Sequence, residues 1–94
     1  MFEIIRKRTL NNQVKLYEIK APRVAKKALP GQFIVLRIDE DGERVPFTVA
    51  DIDPEAGTVT IIVQEVGKTT RRLGLLREGE TLANFVGPLG LPTH

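Results

Sequence analysis

A glycine, two threonines and three cations follow one another in the middle of the chain. In order these are Gly67, Lys68, Thr69, Thr70, Arg71 and Arg72. Leu73 and Leu76 then lie three residues apart, which predicts a short helix with Thr69 or Thr70 as its N-cap. The first turn of a helix presents unpaired N–H groups and a positive dipole end, so cations there are unfavourable without an anion among them. The stretch predicts a phosphate or pyrophosphate site.

Two plainer interpretations of this stretch stay open. Arg71 and Arg72 would also suit a solvated helix face, and Gly67 an ordinary loop. A nucleotide-hydrolysing P-loop is excluded, because the Walker A pattern needs a glycine where this chain has Ile62.

Composition limits the other kinds of site. The 94 residues make one domain, and 41% hydrophobic with 28% charged residues is typical of a globular protein. The chain has no cysteine, which excludes a disulfide framework, a thiolate zinc site and an iron–sulfur cluster on this chain. The single histidine is the last residue, His94, so we predict no metal site and no histidine-based catalytic triad.

Charge and hydropathy indicate the kind of ligand and the cellular location of the protein. A net charge of +2 and a pI near 9.2 suit an anionic ligand but are too small to argue for nucleic acid. No apolar run approaches the roughly 20 residues of a membrane span, and the first residues lack a signal-peptide pattern. We therefore predict a cytoplasmic protein that binds neither membrane nor nucleic acid.

The chain that must position these residues reads as short strands. Strands are predicted at 2–10, 14–20, 32–39, 43–50, 58–66 and 80–86, with an irregular or edge segment at 21–27. A helix is predicted to follow the turn at Gly67 and to end at Glu78-Gly79. Pro30-Gly31 predicts a type II turn and Asp41-Gly42 a tight hairpin. Pro46 predicts a sheet edge or an interrupted ladder. We predict an all-β fold, a six-stranded antiparallel Greek-key barrel with one short capping helix.

Three motifs, taken together, resemble a known family. They are Arg44-Val45-Pro46-Phe47-Thr48, Gly67-Lys68-Thr69-Thr70 and Gly87-Pro88-Leu89-Gly90. The whole chain resembles the flavin-binding β-barrel domain of the ferredoxin–NADP reductase superfamily. Within it, the chain is similar to the small electron-transfer subunits of dihydroorotate dehydrogenase, sulfide dehydrogenase and NADPH-dependent ferredoxin oxidoreductase. The resemblance implies a flavin-binding barrel over residues 1–88 and a linker at 89–94.

The resemblance also implies roles for the first motif. The hydroxyl of Thr48 would face the reactive edge of the flavin ring as the catalytic group, and Pro46 and Phe47 would line the ring. Arg44 would meet the pyrophosphate. The family usually has this arginine one place later, where Val45 stands, and a one-residue shift turns a side chain to the opposite strand face unless the strand bulges.

The other matched residues complete the implied cofactor site. Ile62, Val63 and Gln64 match a strand whose backbone meets the flavin or its ribityl chain. Gly67, Lys68, Thr69 and Thr70 match the loop and helix start that bind the pyrophosphate. Since only FAD carries a pyrophosphate, FAD is the predicted cofactor, with FMN less favoured.

The family's full subunit implies partners. After the Gly87–Gly90 motif it continues into a nicotinamide-nucleotide domain and a cysteine cluster that holds a [2Fe–2S] centre, and it works with a larger oxidoreductase subunit. Electrons would pass from NAD(P)H to the flavin and on to iron–sulfur partners. We expect the present domain alone to be catalytically incomplete.

Two alternatives compete with the flavin domain. One is a basic β-barrel that binds RNA or a protein. It is weakened because the chain has only one tyrosine and four phenylalanines, and Phe33 is predicted to lie in the core. The other is a structural domain that docks onto a larger partner, for which an apolar patch near residues 89–92 would argue.

Overall fold

A computed structural model describes residues 2–90 of the chain. Its elements in order are β1 (Phe2–Asn11), β2 (Val14–Lys20), α1 (Pro22–Lys27), β3 (Phe33–Arg37), β4 (Val45–Asp53), β5 (Thr58–Gln64), α2 (Lys68–Leu73), β6 (Thr81–Leu82) and β7 (Asn84–Leu89). In this part of the chain, neither helix is long and apolar enough to cross a membrane.

The strands form one antiparallel, nearly closed barrel in the order β6-β1-β2-β5-β4-β3-β7. The strands β3, β4 and β5 follow one another as neighbours, while β2 lies beside β5 after the long connection through α1. This is a Greek key. The two ends of the order, β6 and β7, are separated in sequence only by Ala83. The predicted all-β antiparallel barrel is confirmed.

Alternating side chains fill the barrel, because successive residues of a strand point to opposite faces. The largest fully buried side chains are Tyr17, Ile4, Ile19, Ile34, Leu36, Ile61, Leu73, Leu82, Val49, Val59 and Val63. On β3 the inward positions belong to Ile34 and Leu36, so Phe33 points outward and is 38% exposed. The predicted core position of Phe33 is therefore wrong.

The counts of strands and helices differ from the prediction. Seven strands and two helices are present in residues 2–90, rather than six strands and one helix. The segment predicted as irregular contains α1, in which Pro22 lies at the first turn, where its missing N–H has no helical partner to lose. Val24 and Ala25 anchor this helix in the core.

The predicted last strand is divided in two. Ala83 breaks it, with its N–H donating to the carbonyls of Arg37 and Ile38, both at 3.1 Å. The second piece, β7, runs on to Leu89, which pairs with Phe33. Pro88 is tolerated because β7 is the last strand of the order and its other side needs no donor. Of the linker predicted at 89–94, Leu89 belongs to the barrel and 91–94 lie outside the described residues.

The turn predictions have mixed outcomes. Gly31 has a φ of 92°, and Gln32 N–H donates to Leu29 O at 3.1 Å, which confirms the type II turn. The tight hairpin at Asp41-Gly42 is wrong in length, because residues 38–44 all lie between β3 and β4. Its turn is closed by Gly42 N–H donating to the carbonyl of Asp39 at 3.0 Å.

Gly87 is required by a close approach between β7 and β3. A Cβ at this position would lie 2.8 Å from Ile34 Cγ2 and 3.1 Å from the carbonyl oxygen of Phe33. We predict that Gly87→Ala lowers the free energy of unfolding by about 1–3 kcal/mol through overpacking, measured by urea denaturation. The control is Gly67→Ala, whose added Cβ meets nothing within 4 Å. Equal stabilities of the two variants would contradict this account.

Candidate functional site

The strands β4 and β5 separate partway along their length. They are paired from Val49 opposite Ile61 to Asp53 opposite Thr58. Before Val49, residues 45–48 of β4 pair only with β3, and beyond Ile61, residues 62–64 of β5 pair only with β2. The facing backbone edges of 45–48 and 62–64 are thus outside any ladder of the described chain. We call this opening the β4–β5 seam.

Pro46 lies at this divergence. Its ladder partner is Val35 of β3, and it has no partner on the β5 side. A proline lacks the N–H that a second ladder would need, so its position in β4 favours pairing on one side only. The interruption predicted from Pro46 is confirmed, and it forms one wall of the seam.

A cleft of about 240 Å³ lies where the chain leaves the seam. It is lined by Glu43, Val45, Val66, Gly67, Lys68, Thr69 and Thr70. A second cleft of about 250 Å³ shares Glu43, Lys68 and Thr69 with it. The structure therefore brings the second sequence motif against Val45 of the first motif, from residues more than twenty positions apart.

The start of α2 is capped differently from the prediction. Gly67 is the N-cap, and the hydroxyl of Thr70 accepts from the N–H groups of Val66 and Gly67, both at 2.9 Å. The same hydroxyl donates to Gly67 O at 3.1 Å. Thr70 is buried and closes the turn, as the third helical residue of a capping box does. The N-cap prediction of Thr69 or Thr70 is therefore wrong.

The short length of α2 changes the electrostatic argument. Because the helix ends at Leu73, Arg71 and Arg72 lie in its last turn, where cations are favourable. Arg72 also forms an ion pair with Asp39. Of the three cations, only Lys68 lies in the first turn, and it lines both clefts. The predicted stacking of three cations at the N-terminus is wrong.

Backbone donors remain at the cleft. The first hydrogen bond of α2 runs from Arg71 N–H to Gly67 O at 2.9 Å. The N–H groups of Lys68, Thr69 and Thr70 precede it and have no carbonyl one turn earlier in the helix. They can donate to an anion together with the Lys68 ammonium, whereas the carboxylate of Glu43 on the opposite wall would repel it.

The side chains along the seam divide between the two strand faces. Pro46 and Thr48 of β4 are exposed, whereas Phe47 points inward and packs against the core. On β5, Ile62 is 45% exposed and Gln64 is exposed, whereas Val63 is buried. This placement supports Pro46, Thr48 and Ile62 as contacts for an external ring and gives Phe47 and Val63 a packing role.

Arg44 lies apart from the second motif. It lines a cavity of about 380 Å³ on the outer side of β3 and β7, together with Val35 and Arg37. The β3–β4 register is continuous from Val45 to Thr48, so no bulge there turns Arg44 back toward α2. A contact between Arg44 and a pyrophosphate stays a prediction.

A family model described as the oxidoreductase FAD-binding domain matches residues 1–94. The chain belongs to this family. FAD is accordingly its cofactor, as the motifs predicted, and the barrel is an oxidoreductase FAD-binding domain. The RNA-binding alternative finds no support in the family match.

Two relatives of this FAD-binding domain bear names that refer to an electron transfer subunit. In Thermotoga maritima, a homolog of the dihydroorotate dehydrogenase B (NAD(+)) electron transfer subunit is 48% identical over 92 residues, which are 98% of this chain and 33% of the relative. In Shouchella clausii, the electron transfer subunit of that enzyme is 44% identical over 64 residues, covering 65% of this chain and 24% of the relative.

Two solved structures are similar to this FAD-binding domain. The NADH-dependent reduced ferredoxin-NADP oxidoreductase, studied for flavin-based electron bifurcation, matches with a TM-score of 0.95 and 47% identity, over 100% of this chain and 34% of that one. The cytochrome b5 reductase domain of Ulva prolifera nitrate reductase, with a TM-score of 0.70 and 18% identity, shares the fold over 95% of this chain and 39% of that one. The FAD-binding domain thus spans about a third of the length of its nearer relatives.

Contacts that the sequence did not reveal hold α2 of the FAD-binding domain in place. The hydroxyl of Tyr17 donates to the carbonyl of Leu73 at 2.6 Å. The ammonium of Lys7 donates to the carbonyls of Gly74 at 2.7 Å and Leu76 at 2.8 Å, and lies 5.7 Å from the centre of the Tyr17 ring. These bonds fix the C-terminal end of α2 to β1 and β2. The feature of the sequence that could have indicated these contacts is the single tyrosine of the chain, which lies within a strand.

Tyr17 gives this anchor a pH dependence. Burial raises the pKa of the Tyr17 phenol from 10 to about 12, with smaller contributions from Glu65 and Glu80. The protonated form is favoured in the folded state, so its contribution to stability is complete below pH 10 and is lost as the pH rises to about 12. Since this is the only tyrosine, tyrosinate absorbance of the folded protein should titrate near pH 12.

We predict that Tyr17→Phe lowers the free energy of unfolding at neutral pH by about 1–2 kcal/mol, because the Leu73 carbonyl loses its buried donor. Between pH 10 and 12 the wild type should lose stability more steeply than the variant, as measured by urea denaturation at each pH. Parallel pH profiles for the two proteins would show that Tyr17 does not ionise as the anchor requires.

Proposed function

We propose that this domain binds FAD with the pyrophosphate in the cleft at Gly67–Thr70 and the flavin ring along the β4–β5 seam. The observation that supports the proposal is that the β4–β5 seam leads into the cleft at Gly67–Thr70. The predicted cofactor-binding residues lie along both. An FAD molecule is long enough to occupy both the seam and the cleft. Two backbone edges outside any ladder also fit a ligand rich in hydrogen-bonding groups.

The pyrophosphate end is recognised by the first turn of α2. The Lys68 ammonium and the N–H groups of Lys68, Thr69 and Thr70 face an anion in the cleft, and the Thr69 hydroxyl adds a donor. The role of Thr70 is to hold Val66 and Gly67 in the conformation that opens the cleft. Charge-assisted hydrogen bonds of this kind are shorter and stronger than neutral ones.

The ring end is held by the seam. Pro46 and Ile62 cover the ring with apolar surface, and the backbone of Ile62, Val63 and Gln64 meets its polar edge or the ribityl chain. Thr48 places its hydroxyl at the reactive edge, where it can hold a hydrogen bond. FAD itself supplies the redox chemistry, which is to accept a hydride and to release electrons singly.

The parent protein is proposed to be an NAD(P)H-dependent electron-transfer subunit. Support comes from the Thermotoga maritima relative, described as a dihydroorotate dehydrogenase electron transfer subunit homolog, and from the matched oxidoreductase structure. A nicotinamide-nucleotide domain, a [2Fe–2S] domain and a larger oxidoreductase subunit would be the partners of this domain. A cytoplasmic location of the parent protein belongs to the same proposal.

Titration with flavins tests the cofactor site. We expect FAD to bind the 94-residue chain more tightly than FMN, measured by flavin fluorescence. Lys68→Gln should weaken FAD binding about tenfold, because one charge-assisted hydrogen bond contributes about 1.5 kcal/mol. The matched control is Arg71→Gln on the same helix, which removes an equal charge outside both clefts and should change the affinity less than about twofold. Equal losses in the two variants would reject the cleft as the pyrophosphate site.

Substitution of Glu43 tests the same site, with tighter rather than weaker FAD binding as the expected result. Its carboxylate lines the cleft, so Glu43→Gln should tighten FAD binding roughly threefold by removing a like charge. The gain should shrink as salt rises, because salt screens exposed charges. Glu55→Gln, an exposed carboxylate outside the cleft, is the control. Unchanged or weaker FAD binding in Glu43→Gln would contradict an anion at this position.

A further inference from the structure

An ion pair joins β2 to the residue that follows β5. The ammonium of Lys15 lies 2.6 Å from Oε2 of Glu65, and the two side chains are only 12% and 18% exposed. The side chains of the other two ion pairs in residues 2–90 are 28% to 59% exposed. Burial of an ion pair adds little net stability, because desolvation of both charges offsets their attraction. The effect of this pair is therefore to fix geometry rather than to add stability.

The carboxylate of Glu65 lies directly against the backbone of Gly74, just after the end of α2. A Cβ at Gly74 would lie 2.5 Å from Glu65 Oε2 and 2.6 Å from Glu65 Cδ. Gly74 has a right-handed helical conformation, with φ of −63° and ψ of −16°, which an alanine would adopt readily. The glycine is thus required by the space that the carboxylate occupies and not by the conformation of its backbone.

A carboxylate in this place is electrostatically unfavourable for α2. The helix ends at Leu73, and the C-terminal end of a helix carries the negative end of its dipole. Lys15 offsets the charge of Glu65, but an uncharged side chain would avoid the cost altogether. Proteins depart from locally favourable choices mainly at functional sites, where a required geometry outweighs the cost. The position of Glu65 therefore indicates a function in the geometry around α2.

Glu65 directly precedes two residues that line the cleft at α2. The N–H groups of these two residues, Val66 and Gly67, both donate to the hydroxyl of Thr70 in the first turn of α2. The side chain of Glu65 connects the same segment to Gly74, at the other end of the helix. The chain that leaves β5 is thus joined to both ends of α2, and the carboxylate determines how closely the far end approaches.

We propose that Glu65 is a positioning residue for FAD. Paired with Lys15 and packed against Gly74, it sets the place of α2 and so of the N–H donors in the helix's first turn. Glu65 acts through the helix, since it lines neither cleft at α2. This inference rests on the proposed function, because it takes the pyrophosphate to lie in the cleft at Gly67–Thr70. Without the carboxylate, the helix end is free to move into the vacated space, and the donors move with it.

The sign of the change in FAD affinity tests this role. By charge alone, Glu65→Ala would tighten FAD binding as Glu43→Gln should, because each removes a negative charge near an anion. A positioning role predicts the opposite sign. We expect Glu65→Ala to weaken FAD binding about fivefold, measured by flavin fluorescence on the 94-residue chain. The matched control is Glu18→Ala, an ion-paired carboxylate outside both clefts, which should change the affinity less than about twofold.

Gly74→Ala tests the contact without changing any charge. The added methyl group meets the carboxylate, so Gly74→Ala alone should also weaken FAD binding about fivefold. In Glu65→Ala the space is vacant, so the further substitution Gly74→Ala should change FAD affinity less than about twofold. Gly74→Ala also serves as the test if Glu65→Ala does not fold.

Two further measurements separate positioning from a general loss of structure. Urea denaturation establishes that each variant is folded under the binding conditions, and the visible absorption spectrum of bound FAD should be the same in all of them. Tighter or unchanged FAD binding in Glu65→Ala would overturn the proposal, as would additive effects of Glu65→Ala and Gly74→Ala. Equal losses in Lys68→Gln and Arg71→Gln would instead reject the cleft of the proposed function, and this inference with it.

Discussion

The separation of β4 from β5 is the constraint on which the site depends. The register between them shifts between Val49 and Asp51, and on the far side of Val49 the strand β4 follows β3 instead. Pro46 is compatible with pairing on one side only, so β4 cannot close the gap with a regular second ladder there. A closed ladder would bury the backbone of residues 62–64, and the FAD-binding domain would lose the edge against which we place the flavin.

The helix α2 fixes one end of the β4–β5 seam. Thr70 holds the turn before the helix, Tyr17 donates to the carbonyl of its last residue, Leu73, and Lys7 donates to the carbonyls of Gly74 and Leu76 just after it. A helix of six residues is too short to be stable by itself, so these tertiary contacts determine its position. The buried tyrosine thus anchors the C-terminal end of the helix whose first turn lines the cleft.

The outward side chains of β3 and β4 share one face of the barrel. Pro46 and Thr48, the proposed ring contacts, lie directly opposite Val35 and Phe33 in the ladder, so the proposed place of the flavin ring adjoins the outward side chains of β3. Arg44 immediately precedes β4 and lines the cavity on the outer side of β3 and β7, whereas Val45 lines the cleft at α2, because neighbouring residues of a strand face opposite sides. The one-residue shift of the arginine seen in the sequence therefore places its charge outside the cleft at α2.

The sequence by itself determined the family, the antiparallel barrel, the type II turn at Pro30-Gly31 and the interruption at Pro46, because these depend on residue type, local alternation and motif order. It did not determine the division at Ala83, the length of α2 or the outward position of Phe33. Those depend on tertiary hydrogen bonds. Ala83 donates to the carbonyls at the end of β3, and α2 ends where Tyr17 donates to the carbonyl of Leu73 and Lys7 to those of Gly74 and Leu76. Only the tertiary structure decided which cation lies in the first turn of α2. Because the helix ends at Leu73, the two arginines lie in its last turn and Lys68 lies at the cleft.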